Sequence, residues 1–319
     1  MRRSPIKLID TDDLDSALQE FLDYCRAKNL SPHTVGYYRD RLRPFFDLCR
    51  NRLGVADIGS VSSASVRAFI THAMDLGYST STINHTIRAA RALFNYFVDE
   101  GRLEASPLAR IRLLRMEKKI IETFSNDHID RLLSECDRKT FIGLRDYAMI
   151  LTMLDTGLRI SELCGLKTTD IDWSSGFLRV LGKGSKERVV PFGTSVHKAL
   201  RQYLERRGDI NGESHVFLSH FAEPLDRRVV RVILRKLGEK AGMTGVRVSP
   251  HTLRHTFAKN WILNGGDPFS LQRILGHTTQ QMVSQYVNLA TEDIRAQHAK
   301  FSPGDRLAQA TTGRRVMLR

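Results

Sequence analysis

The segment His251-Thr252-Leu253-Arg254-His255 sets polar side chains at i, i+3 and i+4 near the start of a predicted helix, so His251, Arg254 and His255 share one face. A planar guanidinium beside imidazoles suits a phosphate, which it can grip with two parallel hydrogen bonds. The histidine spacing is also that of an HExxH zinc helix. Here the glutamate is missing and Arg254 would place a fixed cation beside a dication, so no metal is expected. A plain basic surface patch is the remaining reading of this segment.

Arg159 lies in Thr156-Gly157-Leu158-Arg159-Ile160-Ser161-Glu162-Leu163, where Gly157 ends one helix and Arg159 opens the next. Free N–H groups at a helix start favour phosphate, as does the guanidinium; a salt bridge to Glu162 is the plainer alternative. Lys183 sits in a turn, Gly182-Lys183-Gly184, from which a flexible amine could reach a leaving oxygen or merely stay solvated. His277 follows Gly276, and Tyr286, the last of eight tyrosines, comes nine residues later. Taken alone, a tyrosine near a helix end is usually a packing residue. Cleaving a phosphodiester with a protein nucleophile requires that nucleophile, cations around the developing charge, and an acid for the leaving oxygen. These residue types supply all three without a metal or other cofactor. The GxxxxGK[ST] pattern of a nucleotide-binding loop is absent.

TGLRISEL, GKGSKER, HTLRHTFA, the LGH of 275–277 and Tyr286, in that order, resemble the tyrosine recombinase (phage integrase) family, including its Xer-type site-specific recombinases. LSPHTVGYYRDRL near the start resembles the family's core-binding domain, and the likeness spans residues 12–300. The resemblance implies that Tyr286 is the nucleophile and that Arg159 and Arg254 hold the scissile phosphate. It makes Lys183 the general acid, and gives His251 and His277 the remaining phosphate-binding and proton-transfer positions. Glu162 matches a frequent acidic helper. It further implies a 3′-phosphotyrosyl intermediate and a Holliday junction. Four protomers would act on two double-stranded DNA sites, each domain pair forming a C-shaped clamp. Need for a partner recombinase or directionality factor stays open. A type IB topoisomerase would use the same chemistry within one duplex, and a non-catalytic DNA-binding regulator is a rival of another class. The helical N-terminal domain and the segment after Tyr286 favour recombination.

The elements that must position these groups read as mainly α with a small β hairpin. Four helices are predicted in the core-binding domain, residues 12–101, after a lead of residues 1–11 too short for a further domain. Leu14, Leu18, Phe21, Leu22 and Cys25 recur at helical spacing, as do Val35, Tyr38, Leu42, Phe45 and Cys49. Ser31-Pro32 suits the entry of the second helix, and Pro44 should kink it. The fourth helix divides into an apolar stripe (Ile83, Ile87, Ala90, Phe94, Phe97) and a polar one (Asn84, Arg88, Arg91, Asn95). Arg39 and Arg43 on the second helix join Arg88 and Arg91 as candidate DNA contacts, with a solvated basic face as the alternative. Residues 102–119, dense in Arg and Lys and without a clean apolar face, read as a basic linker.

The mixed α/β catalytic domain is placed at 120–301, with helices near 126–137, 141–155, 159–166, 195–207, 224–241, 250–264, 267–275 and 279–287. Strands at 177–181 and 188–192 form a hairpin around the Lys183 turn. Lys186 and Arg188 on that hairpin are further DNA-contact candidates. Thr291-Glu292-Asp293 resembles a new helix start, and the family likeness implies that this helix docks on a neighbouring protomer. Residues 302–319 form a tail.

Bulk properties agree with a DNA partner. The net charge is +14 and the pI near 9.9, which draws a surface to polyanions. The excess is spread: 18 Lys and Arg face 14 Asp and Glu through residue 118, and 31 face 21 beyond it. No apolar run approaches the ~20 residues needed to span a bilayer, and the basic N-terminus lacks the apolar run of a signal peptide. A cytoplasmic protein without membrane contact is expected. Cys25, Cys49, Cys136 and Cys164 form no CxxC pair and read as buried reduced thiols.

Overall fold

The computed structural model describes residues 13–116, 122–182, 187–210, 212–276, 298 and 302–304. Residues 1–119 and 120–319 form separate compact units.

The first unit holds helices α1 (Leu14–Ala27), α2 (Pro32–Leu53), α3 (Ser63–Asp75) and α4 (Thr80–Asp99). Each starts at a side-chain cap that satisfies N–H groups the helix leaves open: Asp13, Ser31, Ser62 and Ser79. Pro32 stands in the first turn of α2, where its missing N–H costs nothing, and the helix runs on through Pro44. The predicted stripes all turn inward. Leu14, Phe21, Leu42, Phe45, Ile83, Ile87, Phe94 and Phe97 lie in one core.

Residues 103–114 pack onto this unit rather than running free. Leu108 and Ile111 are buried in its core, and Leu103 and Leu114 pack against it. The polar stripe of α4 faces this segment and not only water. Asn84 is buried; its amide donates to the Leu114 carbonyl at 2.9 Å and accepts the Leu114 N–H at 2.8 Å. Arg91 donates to the Ile111 carbonyl at 2.7 Å. The apolar residues of 103–114 follow no single period, which is why the segment reads as a linker in the sequence.

The second unit contains α5 (Asn126–Ser134), α6 (Phe141–Thr156), α7 (Ile160–Cys164), α8 (Thr194–Arg207), α9 (Arg227–Lys240), α10 (Pro250–Leu263) and α11 (Pro268–Leu275). A three-stranded antiparallel sheet, β1 (Ile171–Asp172), β2 (Phe177–Leu181) and β3 (Glu187–Pro191), is inserted after α7. Strand β1 is missed by the sequence reading because two residues are too few to show alternation. β2 and β3 pair from Phe177↔Pro191 to Leu181↔Glu187, so Leu178, Val180 and Val190 point into the core while Phe177, Leu181 and Val189 stay on the outer face. Helix α6 packs between α8 and α10, with Ala148, Met149, Ile150 and Met153 fully buried. Cys25, Cys49 and Cys136 are buried and Cys164 is half-buried, all as free thiols. Among the described residues no helix is long and apolar enough to cross a membrane.

Candidate active site

Gly157 makes the first turn of the site. It closes α6 in the left-handed conformation, φ +60, which a residue without a Cβ adopts freely. Space forbids a side chain as well, since an added Cβ would stand 2.4 Å from Phe257 and 2.8 Å from Leu275. The chain then turns back, and Arg159 becomes the cap of α7. Its N–H and its Nη1 both reach the Glu162 carboxylate, at 2.7 and 2.9 Å, and its Nη2 donates to the Gly276 carbonyl at 3.0 Å. The salt bridge to Glu162 is therefore real, yet 33% of the Arg159 side chain stays exposed.

Arg254 arrives from α10. Ser249 caps that helix and Pro250 fills its first turn, so His251 stands at the helix N-terminus and Arg254 one turn on. Arg254 is buried. Its Nη1 donates to the Gly157 carbonyl and its Nη2 to the Leu275 carbonyl at 2.7 Å. The two arginines, far apart in sequence, thus converge on the turn after α6 and the end of α11. His251 is exposed, and its ring centroid is 6.4 Å from that of the half-buried His255. Partial desolvation lowers the pKa of His251, and Arg254, Arg231, Arg247 and Arg159 lower it further by their charge. Neutral imidazole is therefore the favoured form at pH 7.

Glu162 sits beneath these groups, its side chain 2% exposed. Burial alone would raise its pKa. The Arg188 hydrogen bonds, the Arg159 N–H, the Arg188 charge and the Arg159 side-chain hydrogen bond outweigh that, and its carboxyl lies below the usual glutamate range. Arg188 reaches it from β3 in a fork, Nη1 to Oε1 at 2.6 Å and Nη2 to Oε2 at 2.9 Å. Among the described residues no group of three His, Cys, Asp or Glu side chains is arranged to hold a metal.

Lys183, Lys186, His277 and Tyr286 lie outside the described residues, as do the helices expected at 279–287 and after Thr291. Of the other DNA-contact candidates, Arg39, Arg43 and Arg88 are exposed, Arg39 beside Asp40 at 3.3 Å. Two others are engaged within the protein. Arg188 is only 13% exposed and its fork and Nε are spent inside the protein, while Arg91 is held by a backbone carbonyl. The helix expected at 224–241 is α9, but none of its arginines was among the candidates. Its Arg231 and Arg235, with Arg247 and His251, line an open cavity of about 510 Å³ beside the arginine site. The signal was available in Arg227-Arg228-Val229-Val230-Arg231, but only the fold puts that helix next to His251.

Comparison with known proteins agrees with this architecture. The phage integrase family model matches residues 122–293, and that of the phage integrase N-terminal SAM-like domain matches residues 18–101. The chain is 33% identical over 299 residues to tyrosine recombinase XerC of Oceanobacillus iheyensis, covering 92% of this chain and 97% of the relative. It is 30% identical over 294 residues to tyrosine recombinase XerD of Listeria monocytogenes, covering 89% and 98%. In fold it is similar to a lambda integrase dimer bound to a COC′ core site, with a TM-score of 0.70, 19% identity, and coverage of 89% of this chain and 81% of that one. XerH bound to palindromic difH substrate in a post-cleavage complex gives 0.70, 20%, 91% and 84%.

The chain belongs to the phage integrase family. It is a tyrosine-type site-specific recombinase, an enzyme that rejoins DNA through a covalent tyrosine intermediate.

Proposed function

We propose that Tyr286 attacks the scissile phosphate while Arg159 and Arg254 hold its non-bridging oxygens. The observation that carries this reading is the convergence of those two guanidinium groups on Gly157 and the last carbonyls of α11, at the point where the chain leaves for His277 and Tyr286. Preorganised cations at a developing charge need no reorganisation during reaction and are worth most when partly shielded from water. The bond from phosphorus to the 5′-oxygen breaks as the bond to the tyrosine oxygen forms. Lys183 gives its proton to the leaving 5′-oxygen. His251, favoured as the neutral ring, and His277 bind the phosphate and move the tyrosine proton. A 5′-hydroxyl from the other duplex then attacks the 3′-phosphotyrosine, restoring the phosphodiester without metal or ATP. Repeating the exchange on the second strand pair passes through a Holliday junction, with four protomers on two DNA sites in the cytoplasm.

Arg39, Arg43 and Arg88 on the first unit, and Arg231, Arg235 and Arg247 on the second, supply the phosphate contacts that bind the duplex. The exposed Val229 and Val232 on α9 suit apolar contact with base edges.

The test begins with the site itself, recovered by mapping the DNA that the protein binds. A nicked suicide duplex carrying that site should yield a covalent adduct on a denaturing gel, undiminished in excess EDTA. Tyr286→Phe should bind the duplex and give no adduct; an adduct of normal yield would overturn the assignment. Recombinant products from a plasmid with two sites, rather than relaxation alone, separate recombination from topoisomerase action.

A further inference from the structure

The last carbonyls of a helix have no partner within it. At the end of α11 three successive carbonyls each accept from a different arginine. Ile274 accepts from Arg188 Nε at 2.8 Å, Leu275 from Arg254 Nη2 at 2.7 Å, and Gly276 from Arg159 Nη2 at 3.0 Å. Cations there also meet the negative end of the helix dipole. The three arginines come from β3, α10 and the cap of α7. Two are the phosphate arginines of the reading above. The third, Arg188, also forks onto Glu162, whose carboxylate takes both the N–H and the Nη1 of Arg159.

We propose that Arg188 is a positioning residue for strand cleavage, acting through Glu162 on Arg159 and directly on the end of α11. The inference rests on the reading of Arg159 and Arg254 as phosphate ligands. Glu162 carries one negative charge between two guanidinium groups, so each arginine limits how far the other is pulled toward it. Without Arg188, the buried carboxylate would have Arg159 as its remaining guanidinium partner and would draw it inward, away from a bound phosphate. The Ile274 carbonyl would also lose its donor at the step before the chain turns. Gly276 makes that turn at φ +61, and a Cβ added there would lie 3.2 Å from Cδ and Nε of Arg188, so the turn is built against this side chain. Arg188 also pairs with Val180 in the sheet, one residue from the end of the hairpin that carries the Lys183 turn. One side chain therefore ties together the first arginine, the base of the Lys183 hairpin and the exit toward His277.

A misplacement near 1 Å in a reacting assembly can cost about 10²-fold in rate. On the suicide duplex, full-length Arg188→Ala should form adduct about 10²-fold more slowly at saturating enzyme. Its Kd for the duplex should stay within a few-fold of wild type, because the side chain is spent inside the protein. Added guanidinium ion should restore part of that rate in Arg188→Ala and none in Tyr286→Phe. Arg188→Lys keeps the charge but loses the fork, and should fall between wild type and Arg188→Ala; it carries the test if the alanine variant fails to fold. The double variant Arg188→Ala/Glu162→Gln should be slowed by less than the product of the two single effects. Wild-type cleavage by Arg188→Ala would overturn the proposal, as would loss of affinity in proportion to rate, absence of guanidinium rescue, or strict additivity. In each of these cases a Tyr286→Phe protein that still forms no adduct keeps the functional reading intact, and one that forms it sinks that reading separately.

Discussion

Two sets of arginines, one taken from each unit, are used in opposite ways. In residues 1–119, Arg39, Arg43 and Arg88 stand out from the helix surfaces, and Arg39 shares its charge with a neighbouring exposed Asp40. In residues 120–319, Arg254 is buried, Arg188 is nearly so, and Arg159 is held at two points while a third of it stays open. An exposed guanidinium is mobile and replaceable, and it contributes by neutralising phosphate and releasing counterions. A guanidinium fixed by carbonyls and a carboxylate has lost its rotamer freedom during folding, so none is lost again when the phosphate arrives. The first set should therefore govern affinity and its salt dependence, and the second set rate.

The largest expected effect is on cleavage. Arg254→Ala should slow adduct formation about 10²–10³-fold while the duplex Kd changes far less. Single-turnover cleavage and binding measured on the same substrate check this, and equal losses in both would erase the contrast between the units. Gly157→Ala addresses the same site through its backbone. The φ of +60 and the contacts with Phe257 and Leu275 should together lower stability by about 1–3 kcal/mol and slow cleavage, read by denaturant unfolding beside the adduct assay. Asn84→Ala should cost about 1–3 kcal/mol by leaving the Leu114 N–H and carbonyl without their partner, and protease should then cut within 103–114 more readily. Cleavage rate at saturating DNA should stay near normal, because this asparagine belongs to the first unit.

Smaller still, Arg39→Ala, Arg43→Ala and Arg88→Ala should each weaken binding modestly and reduce the slope of log K against log salt by about 0.9. A drop in saturated cleavage rate from any of them would break the division of labour. The smallest effect is on pH. Because the folded pKa of Glu162 is depressed, its stabilising contribution is complete above the ordinary value of 4.5 and fades as pH falls through the lower folded value. The stability gap between wild type and Glu162→Gln should therefore be widest near neutrality and close in acid, as thermal melts across that range would register.

Most of the secondary structure is legible in the chain alone, since apolar spacing, caps and glycine stops are local signals. Ser31-Pro32, Gly157 and the stripes of α1, α2 and α4 each follow from the residues themselves and a 3.6-residue period. The types of the chemical groups were equally legible, because Arg159, His251 and Arg254 occur in runs whose order resembles one family. Local signals do not tell which polar side chain meets which partner. Asn84 and Arg91 look like a solvated stripe until residues 103–114, apolar at irregular intervals, close over them. Arg188 looks like a phosphate contact on a hairpin and becomes an internal fork because the tertiary fold brings β3 beside Glu162 and the end of α11. Residue type and spacing set the described helices, the core stripes and the inventory of cations. Tertiary structure alone decided which cations are held and which are left to reach DNA, because that depends on carbonyls and carboxylates distant in the chain.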